Sequence, residues 1–224
     1  MIDTRLRRGK ELLLAPLVRR MPPLSPMVFT AASFACGAAT ALFAFAGAGG
    51  AAVTSWVLSR LFDGLDGELA RYRNRQSDLG AYLDLIGDMI LYAAVVIAIT
   101  AASESAPWAA ATVLMASFYV NAAGWMFLSA VLVKREVNRK ARREHSERYN
   151  TSLPMPSGLI EGGESVVFVL IALLLDAQLA ALYIVFASLT AITALQRIAW
   201  AYRNLQKGPR SPATPATEAQ REVS

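Results

Sequence analysis

The sequence has one cysteine, Cys36, and one histidine, His145, in 224 residues. A lone thiol cannot close a disulfide framework and has no redox partner. With so few thiolates and imidazoles, a metal centre built on them is excluded. Any metal must be held by oxygen, as Mg²⁺, Mn²⁺ and Ca²⁺ are. No internal repeat is visible, and the length excludes a large multi-domain enzyme. Polar composition is thin too. Hydrophobic residues make up 55% of the chain and the mean hydropathy is +0.39, which leans towards a membrane protein.

What the chain does have is apolar runs. A spanning helix needs about 20 mostly apolar residues. Six candidates meet or approach that length, at 27–47, 50–70, 79–101, 108–133, 161–177 and 179–202. The fold class expected is therefore all-α, a polytopic membrane protein with six transmembrane helices. The connections sort by charge. The links Gly47–Gly50, Ala102–Pro107 and Asp176–Gln178 carry no Lys or Arg. Every basic residue except Arg60 falls before the first span, in the second or fourth link, or around the final turns and tail. The positive-inside rule then places both termini in the cytoplasm of a cell (inner) membrane protein. The net charge of +5 is accounted for as a topology and lipid-surface signal, so no nucleic acid is expected as a partner.

Residues 1–26 read as an N-terminal juxtamembrane amphipathic helix. Ile2, Leu6, Leu13 and Leu17 share a face and basic residues lie elsewhere, which suits an interface with anionic membrane lipid. The apolar run after it exceeds that of a cleaved signal peptide, so an uncleaved first span is expected. Residues 27–205 form the six-helix domain. Residues 206–224, rich in Pro, Ala, Thr and charge, read as a disordered cytoplasmic tail.

Against that apolar background stand four aspartates, Asp63, Asp66, Asp84 and Asp88. The first two are three apart and the last two four apart, so each pair shares a helical face. The link between the two helices is short, so the helices are expected to be antiparallel neighbours with converging acidic faces near the cytoplasmic side. A single charge at a helix centre costs about 2.5–3.5 kcal/mol. Four facing carboxylates also repel one another. Two divalent cations, about 3.5–4 Å apart, would neutralise them and suit phosphoryl or pyrophosphate chemistry. A cation or proton path, and ion pairs with Arg60 and Arg71, are alternatives at this point.

The spacing is more specific than the charges. It runs Asp63-x-x-Asp66-Gly67-x-x-Ala70-Arg71, then eight residues, then Gly80-x-x-x-Asp84-x-x-x-Asp88, which is eight specified positions over 26 residues. This resembles the signature of the CDP-alcohol phosphatidyltransferase family, class I and integral to the membrane. The resemblance covers roughly residues 1–205. It implies metal-dependent transfer of a phosphatidyl group from CDP-diacylglycerol to an acceptor alcohol, with release of CMP, in phospholipid biosynthesis. By that matching Asp63, Asp66, Asp84 and Asp88 hold two Mg²⁺ or Mn²⁺ ions, and Asp88 is also the catalytic base. Gly67, Ala70, Arg71, Ser77 and Gly80 are the implied nucleotide and CDP-lipid residues. The small side chains let a phosphate approach the backbone, although small residues also pack membrane helices together. Arg71 suits the pyrophosphate, because guanidinium pairs with phosphate oxygens bidentately. A homodimer is implied as well.

For the acceptor the candidates are Lys134, Arg135, Glu161 and Glu164. Relatives whose acceptor bears a phosphate tend to show arginines where this chain has Glu161-Gly162-Gly163-Glu164. Two carboxylates beside a Gly-Gly step suit an ammonium or a polyol, so a small amine-bearing or uncharged alcohol is expected. Acidic residues also favour a helix's first turn through its dipole. The first span departs from the family pattern too, with Pro26-Met27 where a polar residue often follows the proline. Three rival readings remain. An intramembrane prenyltransferase has different aspartate spacing. A cation transporter would use the carboxylates as an ion path. A phosphotransferase could instead donate a CDP-linked polar alcohol to diacylglycerol.

Overall fold

A computed structural model describes residues 25–141, 158–160 and 162–206. The expected interfacial helix lies outside the described residues except for its last two positions. So do Glu161 and the tail after Gln206. The described chain is all helical: α1 (Pro26–Phe45), α2 (Gly49–Tyr72), α3 (Asp78–Ala102), α4 (Trp108–Ala141), α5 (Gly162–Leu174) and α6 (Leu179–Leu205), with a short 3-10 turn, Asp176–Gln178, before α6.

Four of these, α1, α3, α4 and α6, are long and apolar enough to cross a membrane. The other two fall short for different reasons. α2 has the length, but Arg60, Asp63, Asp66, Glu68 and Arg71 crowd its second half. α5 has 13 residues. At 1.5 Å per residue that is about 20 Å, less than a hydrocarbon core of about 30 Å. The outward faces are apolar where a soluble protein's would be polar. Leu42 and Phe127 are 71% and 73% exposed, and Leu195 and Ile198 also face outwards. Apolar outer surface on this scale matches a lipid surround rather than water.

α1 is the helix that organises the site. It packs closely on both α2 and α3, while α2 and α3 are not themselves a closely packed pair. They are neighbours through long side chains, Arg60 with Asp88 and Trp56 with Tyr92, and α1 is the helix seated on both. Its sequence explains why. Ser33, Gly37, Thr40 and Ala44 are its buried residues, spaced along one face. Such a small-residue face lets helix backbones approach. Ser33 and Ser59 bond each other's backbone carbonyls reciprocally, at 3.0 and 2.9 Å. At Gly37 an added Cβ would lie 2.5 Å from the Leu91 side chain of α3, which would have to shift to admit it.

The main core lies away from the motif, where the far end of α1 meets α2 to α6. Phe168 stacks on Phe186 with centroids 4.1 Å apart, and Phe118 and Tyr183 close around them. Trp56 ties α2 to α5 by donating its indole N–H to the Val166 carbonyl at 3.1 Å. Gly158 seats the chain against α6, where a Cβ would meet Thr193 at 2.3 Å. Beside it the Ile160 amide donates to Thr193 Oγ1 at 2.9 Å.

Candidate active site

The link between α2 and α3 is a five-residue turn whose geometry follows from its side chains. Arg73 caps the C-terminal end of α2, its amide bonding the Leu69 carbonyl. Asn74 follows with φ of 51°, a left-handed conformation that asparagine tolerates better than most residues. The amides of Asn74 and Arg75 then close on the carbonyls of Arg71 and Ala70. Ser77 caps the next helix, its Oγ accepting from the Gly80 amide at 3.0 Å. This is the standard way a serine satisfies an orphan donor in a helix's first turn. Ser77, expected to meet the CDP group, thus also starts α3.

Beside this turn lies a cavity of about 390 Å³. Asp66, Gly67, Ala70 and Arg71 line it from α2, and Ser77, Gly80 and Asp84 from the start of α3. All five nucleotide candidates read from the sequence are therefore in one cavity with two of the four aspartates. The structure adds Arg75 and Gln76 from the turn, and Ser25, Pro26, Met27 and Thr30 from the start of α1. The glycines open this space rather than close a helix contact. A Cβ at Gly67 would meet only the Arg71 guanidinium, 3.5 Å away, and one at Gly80 would meet only Ser77 Oγ. Arg71 is held over Gly67 by Glu68, to which its Nη2 donates at 2.7 Å.

The four carboxylates interact across the gap between α2 and α3. Asp84 lies within electrostatic reach of Asp88 and Asp66 and makes a close approach to Asp63. Asp66 in turn feels Asp63 and Asp88. Two of them are held by other side chains. Thr30 Oγ1 of α1 donates to Asp66 Oδ2 at 2.7 Å. Arg60 Nη1 donates to Asp88 Oδ1 at 2.7 Å. The donor set is all oxygen and dense in negative charge, which fits a hard divalent cation. Among the described residues no three such groups already stand in a metal-holding arrangement. With Asp66 turned to Thr30 and Asp88 turned to Arg60, side-chain rotation is what a shared coordination shell would require.

Thr30 and Arg60 are not among the site residues expected from the motif, although Arg60 is weighed there as an ion-pair partner of the aspartates. Thr30 is the threonine that follows the proline pair, but Met27 stands where that pair's polar residue is expected, so the first span gave only a partial signal. Arg60 did carry one, as the only basic residue outside the basic segments.

Of the acceptor candidates, Lys134, Arg135 and Glu164 do not line this cavity. Arg135 Nη1 donates to the Asn204 carbonyl at 3.3 Å, and its Nη2 to that of Leu205. It therefore caps the end of α6, as a cation suits a helix C-terminus. Lys134 is exposed. Glu164 sits half-buried in the first turn of α5.

The family model described as CDP-alcohol phosphatidyltransferase matches residues 24–192. A curated relative, the inner membrane protein YnjF of Escherichia coli (strain K12), is 28% identical over 208 residues, covering 92% of this chain and 98% of that one. The crystal structure of Mycobacterium tuberculosis phosphatidylinositol phosphate synthase PgsA1 with manganese and citrate shares the fold, with a TM-score of 0.59 at 23% identity. That match covers 89% of this chain and 88% of PgsA1. The same enzyme with CDP-DAG bound gives 0.59 at 24% identity, over 86% and 92% of the two chains. The family match spans most of the chain, including the whole aspartate motif and the cavity it lines, and so this chain belongs to the CDP-alcohol phosphatidyltransferase family.

Proposed function

We propose that this protein transfers the phosphatidyl group of CDP-diacylglycerol to a small alcohol and releases CMP. The observation that carries the reading is the cavity at the α2–α3 turn. It combines two carboxylates, an arginine and glycine-bared backbone at the end of apolar helices, which is what a nucleotide pyrophosphate on a lipid tail needs. The related PgsA1 has been solved both with manganese and with CDP-DAG.

Asp63, Asp66, Asp84 and Asp88 are the residues that would hold two Mg²⁺ or Mn²⁺ ions. When bound, such ions neutralise charge on the pyrophosphate and on the departing CMP oxygen. The remaining work falls to the chain. Arg71 and Arg75 place positive charge beside the pyrophosphate. Gly67 and Gly80 let it approach the backbone. The acceptor hydroxyl attacks the phosphorus that bears the diacylglycerol. The bond from that phosphorus to the CMP oxygen breaks, and the hydroxyl proton passes to Asp88. A base positioned this way contributes about 10²–10⁴ in rate.

Six spans with both termini and the site on the cytoplasmic side suit the charge pattern. α5 would then cross only with help from its flanking residues. Arg135 is engaged on the end of α6, which favours an acceptor without a phosphate. The acceptor is thus an amine-bearing or uncharged alcohol, with Glu164 as a candidate contact.

The test is to purify the protein in detergent with Mn²⁺ or Mg²⁺, add CDP-diacylglycerol, and offer serine, ethanolamine, choline, glycerol and inositol phosphate. Lipid products are identified by mass and CMP is measured in parallel. One acceptor giving a phospholipid and equimolar CMP is the expected outcome. CMP formed only from a CDP-linked polar alcohol with diacylglycerol would reverse donor and acceptor. No CMP with any combination would sink the reading.

A further inference from the structure

Arg60 stands apart from every other basic residue of the chain. It lies one turn before Asp63 on α2 and is only 9% exposed. A guanidinium buried among apolar helices needs partners, and Arg60 has an unusual set. Nη1 donates to Asp88 Oδ1 at 2.7 Å and Nη2 to Ser59 Oγ at 3.1 Å. Its central carbon lies 4.7 Å from the Trp56 ring centroid and 5.7 Å from that of Tyr92. Its Nε is buried with no hydrogen-bond partner among the described residues. What fixes the guanidinium is the aromatic platform beneath it.

The platform is itself anchored. Trp56 and Tyr92 meet edge to face at 5.3 Å. The Trp56 indole is tied to α5 through the Val166 carbonyl. Arg60 therefore cannot swing far. Asp88 can: its side chain is short, sits on the facing helix and is 36% exposed. The two partners are unequal, one clamped and one able to rotate. Arg60 is also within electrostatic reach of Asp63, so its single charge opposes the repulsion within the whole carboxylate group.

We propose that Arg60 is a positioning residue that holds Asp88 in the metal-free enzyme and yields it when divalent cations enter the carboxylate cluster. The proposal rests on the metal-site reading of the four aspartates. In this role the guanidinium competes with the cations. It keeps the empty site from collapsing or repelling itself apart, and it sets how tightly metal is held. Two like charges near one carboxylate disfavour each other, so removing Arg60 strengthens metal binding. A purely structural ion pair would instead leave metal affinity unchanged or weaken it through misfolding.

The experiment uses the full chain in detergent, without lipid substrate, and Mn²⁺ as the probe, with free Mn²⁺ read by electron paramagnetic resonance. The Mn²⁺ dissociation constant of Arg60→Gln is expected to fall at least threefold. Arg60→Lys, which keeps the charge, is expected to stay within twofold of the parent. Unchanged or weaker binding in a folded Arg60→Gln protein overturns the proposal. If that variant does not elute as a folded species, the parent decides. Its tryptophan emission should change on titration with Mg²⁺, and the change should disappear in Trp56→Phe. A parent that binds Mn²⁺ but shows no Mg²⁺-dependent emission change also overturns it. A parent that binds no Mn²⁺ at all removes the metal-site reading, and the proposal with it.

Discussion

Two cavities between the helices both contain an arginine and differ in nearly everything else a ligand would meet. The one at the α2–α3 turn, about 390 Å³, has Asp66, Asp84 and Arg71 on its walls and bare backbone at Gly67 and Gly80. The one between α4 and α6, about 210 Å³, is walled mainly by apolar side chains such as Val120, Phe127, Val131 and Ile198. Its Arg197 donates to Asn121 Oδ1 at 2.6 Å. The difference teaches that an arginine in a cavity does not by itself mark chemistry. What marks it here is four carboxylates gathered around one arginine, Arg60, set beside glycines that serve no helix contact.

The largest effects are expected where that comparison is broken at the carboxylates. Asp84→Asn, and separately Asp66→Asn, should lower CMP release by roughly 10²–10⁴, the several kcal/mol that a misheld metal ion forfeits. Asp88→Asn should lower turnover by about 10²–10⁴ while CDP-lipid binding stays near that of the parent. Full turnover in Asp88→Asn would remove it as the base.

A smaller and more diagnostic contrast sets two glycines against each other. Gly67→Val places atoms in the polar cavity without meeting backbone. CDP-lipid binding should weaken about tenfold, near 1.4 kcal/mol, with little change in thermal midpoint. Gly37→Val drives a side chain into Leu91. It should cost about 1–3 kcal/mol of stability and lower the thermal midpoint, while the folded fraction binds CDP-lipid normally. Equal effects of the two substitutions on binding and stability would show that Gly67 is a packing residue after all. Smallest of all, Val131→Ala in the apolar cavity should leave CMP release within about twofold, the effect of roughly 0.5 kcal/mol.

The helices were legible because apolar run length is a one-dimensional property. The run expected at 27–47 is helix Pro26–Phe45, and that expected at 79–101 is Asp78–Ala102. The cavity was legible through spacing, since Gly67, Ala70, Arg71, Ser77 and Gly80 fall on one side of a short turn. Other features depend on three-dimensional packing. No spacing within α2 and α3 reveals that α1 packs on both of them, because that follows from Ser33 and Gly37 matching Ser59 and Leu91. Arg135 looked available for a phosphate, but the end of α6 uses it. Thr30 reaches Asp66 only because α1 is seated as it is. Arg60 was visible as an odd charge, but its aromatic clamp joins residues 36 positions apart, Trp56 and Tyr92.

The most direct measurement is CMP release from CDP-diacylglycerol by the parent protein and by Asp84→Asn, each before EDTA, after EDTA, and after excess Mn²⁺ or Mg²⁺. The parent should release CMP, stop in EDTA and recover on adding metal, while Asp84→Asn stays near background throughout. CMP release that persists in EDTA, or that survives in Asp84→Asn at the parent's rate, would contradict a metal-dependent site built on these four aspartates.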